Sequence, residues 1–168
     1  MKKKILMGLA SLLLISGCTD SNNQEMNSSE YNQYTQTYEM INTQVAFLES
    51  STNFSMNVEI AQDEEGKIIY YVVIDEATVA MQDVEAMVVA VGANAEVTMF
   101  PSIGIVDDAT YNLVPAQVNK AEGYVEGFVL SGETEYQTEL TLRVMVSWIS
   151  SAKSDRVREF LEITIGTE

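Results

Sequence analysis

A succession of short β-branched and aromatic runs, broken by turns and joined by no regular helices, leaves this 168-residue chain few folds to choose from. Residues 68–75 (IIYYVVID) are apolar on both faces, as expected for the centre of a sheet. Before them, Phe54, Met56, Val58 and Ile60 alternate with Ser55, Asn57 and Glu59, the pattern of a strand with one buried face. Asp63-Glu64-Glu65-Gly66-Lys67 between the two runs is a hairpin turn, with Gly66 available for positive φ. Val79 and Met81 open a further extended run that residues 84–91 continue. Val84, Met87, Val88 and Val91 also fit a helical period, so both readings stand there. A turn at 92–95 precedes a short strand, 97–100.

The only two prolines bound the segment 101–115. It reads as a short edge strand, an acidic turn at Asp107-Asp108 and a second short strand, 111–114; proline at strand ends discourages unwanted pairing. Residues 123–130 are predicted as a strand ending in a turn at Ser131-Gly132-Glu133. Residues 139–148 alternate Leu140, Leu142, Val144, Val146 and Trp148 on one face, and Trp148 is expected to plug the core. A last strand covers 157–165. About seven to eight strands at this rhythm predict a mainly β chain folded as an antiparallel β-sandwich. The lack of helical segments between strands weighs against a parallel α/β sheet.

Ahead of the strands, Tyr31, Tyr34, Tyr38, Ile41, Val45 and Leu48 recur at steps of three and four, predicting one amphipathic helix over 31–50. Its stripe is expected to dock on the domain. The exposed alternative makes Tyr31, Tyr34 and Tyr38 a candidate partner contact. Residues 19–30 (TDSNNQEMNSSE) carry almost no large apolar side chain and read as a flexible tether.

The chain opens MKKKILMGLASLLLISGC, with Lys2, Lys3 and Lys4 before a short apolar run. That run is about half the roughly 20 residues a spanning helix needs, as in an export signal. Ile15-Ser16-Gly17-Cys18 resembles the lipobox of bacterial lipoproteins. The resemblance implies cleavage between Gly17 and Cys18 and a covalent diacylglyceryl lipid on the Cys18 thiol, with no other cofactor. It places the protein on the outer face of the bacterial cytoplasmic membrane, held by its lipid anchor, in a Gram-positive envelope. The expected organisation is a signal peptide (1–17), a lipidated cysteine with tether (18–30), the helix (31–50) and the sandwich (51–168). Cys18 is the only cysteine, so no disulfide forms within the chain.

Without the three signal lysines, six basic residues face 25 acids, a net of −19. Such a surface repels nucleic acid and other polyanions. The chain has no histidine, which excludes Ser-His-Asp and Cys-His catalysis and His-based metal sites. Ser150 and Lys153 have S-x-x-K spacing but join two strands, where that spacing does not align them. Asp75, Glu76, Asp107 and Asp108 fall at strand ends and form a candidate cation site if they gather at one end of the sandwich. The methionines sit among valines as core filler rather than as copper ligands.

Residues 70–148, with Val72-Val73-Ile74-Asp75, Leu113-Val114-Pro115, Gly123-Tyr124-Val125 and the strand into Trp148, resemble the immunoglobulin-like accessory domains of small Gram-positive lipoproteins. The resemblance implies an immunoglobulin-like sandwich and carries no catalytic motif. The expected function is a non-catalytic binding or accessory module at the membrane–wall interface, with an envelope protein as partner. A module capturing a cation or small ligand is the alternative. A carboxylate-dependent wall hydrolase comes third, and it requires two carboxyls held about 5–9.5 Å apart across a cleft.

Overall fold

The computed structural model describes residues 28–94, 99–107, 109–150 and 155–167. Gly17, Cys18, most of the tether, the expected strand at 97–98, Asp108 and Lys153 lie outside the described residues.

A helix, α1 (Ser28–Thr43), is followed by β1 (Ser55–Gln62), β2 (Ile68–Asp75), β3 (Met81–Ala90), β4 (Ser102–Ile103), β5 (Gly127–Thr134), β6 (Glu139–Ser150) and β7 (Arg156–Gly166). The strands form two antiparallel sheets, β1-β2-β5 and β4-β3-β6-β7. In the lettering of immunoglobulin-like sandwiches this order is A-B-E against C′-C-F-G. Alternation sets the core. Ile68, Tyr70, Val72 and Ile74 of β2 face Val144, Val146 and Trp148 of β6 and Leu161 of β7, all buried. Trp148 is the expected plug, meeting Phe54 edge-on with ring centroids 6.1 Å apart.

The ambiguous run at 84–91 is strand. Its helical period arises because both faces of β3 are buried: Ala86, Val88 and Ala90 point inward, and Met87 and Val89 point outward. The register also slips between Gln82 and Glu85, where Asp83 adopts φ 50°. The side-chain oxygen of Asn112 accepts the Asp83 N–H at 3.0 Å there, and Arg156 holds the Asp83 carboxylate.

The outward residues Met87, Val89 and Met145 are buried because α1 packs on β3 and β6. Ile41 is fully buried, Tyr38 stacks on Phe100 (5.4 Å, 7°), and the Tyr34 hydroxyl accepts the Phe100 N–H at 2.6 Å. The helix starts earlier and stops sooner than the period implies, at Thr43. The chain beyond it runs to the free edge of β7, where Leu48 donates to Phe160 and accepts from Glu162. Those backbone groups cannot serve a helix as well. Val45 consequently stands 96 % exposed, outside the helical stripe.

The other revision concerns β5. It begins at Gly127 rather than at 123, and Ser131-Gly132-Glu133 is strand, paired with Tyr71, Tyr70 and Ile69. Gly132 is required by packing. The ring of Tyr70 lies across it, and a Cβ there would collide with the phenol. The strand runs on to Thr134, so the link to β6 falls at residues 135–138; ahead of β5 stands a short 3-10 turn, Lys120–Glu122, closed by Gly123 at φ 76°.

Candidate functional site

The two sheets differ in what lies on their outer faces. That of β3 and β6 carries α1 and a polar network in which Arg156 meets Asp83, Glu85 (2.9 Å) and the Ser147 hydroxyl (3.1 Å). Arg143 pairs with Glu162 at 2.7 Å and lies 4.8 Å over the ring of Phe47. Burial outweighs the attraction of Arg156 and holds the Glu85 carboxyl above its ordinary range.

Among the described residues no helix or strand packs across the outer face of β1-β2-β5. Register places Asn57, Val73 and Val129 in one row, Glu59, Tyr71 and Ser131 in the next, and Ala61, Ile69 and Glu133 in the third. Val129 is 55 % exposed and Tyr71 37 %. Aliphatic and aromatic side chains thus occupy the middle of a face whose margins carry Glu59, Asp75 and Glu133. Lys67 sits at one end, 3.3 Å from Glu133, and that hydrogen bond raises its pKa. β1 and β5 are also the edges of this sheet.

At the opposite end, past Asp75, opens a cavity of about 400 Å³. It is lined by Leu113, Val114, Pro115, Val118 and Val125 together with the acidic residues Asp75, Glu76 and Glu126. Asp75 belongs to the outer row of β2 and to this cavity alike, and its Oδ1 is buried with no hydrogen-bond partner. It crowds Gly127, where a Cβ would stand 2.7 Å from that of Asp75.

Asp75 and Glu76 share the cavity; Asp107 does not line it and instead accepts the Gly104 and Ala109 N–H groups within its own loop. Among the described residues no group of three or more acidic or cysteine side chains is arranged to hold a metal ion. Of the tyrosine stripe, Tyr34 is buried, Tyr38 is half-buried under Phe100, and Tyr31 is 57 % exposed. Burial raises the Tyr34 pKa, against the opposing pull of the Phe100 N–H. Tyr71, Val129 and Glu126 escaped sequence reading. The alternation of β2 was visible, but a strand apolar on both faces reads identically whether its second face is covered or bare.

No family model, curated protein or solved structure matches this chain.

Proposed function

We propose that this chain is a lipid-anchored, extracytoplasmic, non-catalytic binding module of a bacterial envelope, acting as an accessory to an envelope protein. One observation carries the binding part. Among the described residues, the sandwich covers one sheet with its own helix and leaves the other with an apolar centre that no helix or strand covers. An exposed apolar strip rimmed by polar residues is the usual mark of an interaction surface. The anchor rests on the likeness of residues 15–18 to a lipobox, and two acyl chains give the stable attachment that one does not. The non-catalytic part is supported by a chain without histidine whose single cysteine is assigned to the lipid.

The test feeds cells an alkyne-bearing fatty acid and compares the wild type with Cys18→Ser. The expected result is label on the wild type alone, with the variant released from the membrane fraction and a specific envelope protein cross-linked only to the anchored form. An unlabelled wild-type chain overturns the anchor, and an anchored chain with no protein neighbour overturns the accessory role.

A further inference from the structure

We propose that the open face of β1-β2-β5 docks a basic partner protein, one that lays an apolar strip over Tyr71, Val73 and Val129 and presents lysine or arginine to the surrounding acids. This rests on the reading of the chain as a binding module and adds the place and the chemistry of the contact.

Charge decides the occupant. The basic side chains of the sandwich are segregated: Arg143 and Arg156 are engaged on the outer face of the helix-covered sheet, and register sets Arg158 on that face too. Among the described residues the strands of the open face carry no basic side chain of their own; Lys67 stands at the end of the face, bound to Glu133, and Lys120 lies in the turn Lys120–Glu122. A second copy of this chain would set the acids of the face against their like, in a molecule at −19 once the three signal lysines are removed, which electrostatic repulsion disfavours. A basic partner meets complementary potential and covers the apolar rows.

The cavity beyond Asp75 extends the same surface. Its apolar walls suit the methylene stem of an arginine or lysine, and its carboxylates suit the charged head.

Two experiments decide the matter. In the first, the full chain solubilised from membranes is titrated with a nine-residue peptide alternating valine and arginine, and with its valine–glutamate counterpart. Binding of the first peptide alone is expected, at least about tenfold weaker for Glu59→Lys/Glu133→Lys, a change of about 1.4 kcal/mol. Glu39→Lys/Glu49→Lys, an equal charge change on exposed positions before the sandwich, is expected to leave the affinity within about twofold. Equal loss in both pairs reduces the effect to net charge and overturns the proposal. So does undiminished binding to Val129→Arg, whose exposed position tolerates the substitution without unfolding.

In the second, a photoreactive residue replaces Val129 or, on the other side of the molecule, Val45, in the cells that make the protein. Cross-linking from 129 to a basic segment of another protein, abolished by Glu59→Lys/Glu133→Lys, is expected. Cross-linking from 45 alone keeps the binding module and overturns this docking face. A second copy captured at 129 overturns the basic partner, and silence at both positions overturns the module itself.

Discussion

Tyr34 and Tyr70 offer the same one-atom deletion in two buried settings, and the structure assigns them different signs. In Tyr34→Phe the ring stays, but the Phe100 N–H loses the acceptor it reaches at 2.6 Å in a buried position. An orphaned buried donor costs about 1–3 kcal/mol. For a domain of this size, each kcal/mol lowers Tm by about 2–4 °C. In Tyr70→Phe the hydroxyl removed has no hydrogen-bond partner and lies in a site whose burial strongly raises its pKa. That deletion is expected to be neutral or stabilising by up to about 1 kcal/mol. Urea denaturation of both variants, with Tyr31→Phe as the exposed control within about 0.5 kcal/mol, is the assay. Tyr34→Phe unfolding at the wild-type midpoint, or both variants losing the same amount, would refute the docking of α1 through this hydroxyl.

Further perturbations test the packing and the charges. Gly132→Val should destabilise by about 1–3 kcal/mol, because its side chain enters the space of the Tyr70 ring, and pairing with Tyr70→Ala should recover part of that loss in a double-mutant cycle. Trp148→Ala should cost about 3–5 kcal/mol by leaving a void against Phe54, read as a lowered urea midpoint at nearly unchanged slope. For Glu85 the sign follows from its raised pKa. The folded state holds this proton more tightly than the unfolded chain does, so the group's contribution is complete below its ordinary 4.5 and is lost as pH rises through the higher folded value. The stability of the wild type relative to Glu85→Gln should therefore fall with pH across that window, in thermal melts taken from pH 4 to 7. A difference that rises with pH would mean that Arg156, not burial, governs this carboxyl.

The strongest strands were legible because their chemistry is local. In β6, Leu140 through Trp148 alternate strictly, and in the first hairpin Asp63 Oδ1 accepts the Glu65 and Lys67 N–H groups while Gly66 supplies φ 87°. The end of α1 was not legible. What keeps it from reaching Leu48 is the pairing of that residue with the β7 edge, more than a hundred residues further along the chain. Gly132 misled for a related reason, since a glycine kept clear for the Tyr70 ring looks in sequence like a glycine of a turn.

By itself, then, the sequence determined the secondary structure of the clearest strands, the two-layer β architecture, the acidic surface and the lack of histidine chemistry. All of these follow from side-chain period and composition, which neighbours along the chain set. The tertiary structure alone decided which apolar faces are covered. Met87 and Val89 vanish beneath a helix from the other end of the chain, while Tyr71 and Val129 remain open. It also decided that Asp75 and Glu126 line one cavity while Asp107 turns back into its own loop. Burial depends on what else arrives in space, and period records only which side chains share a face.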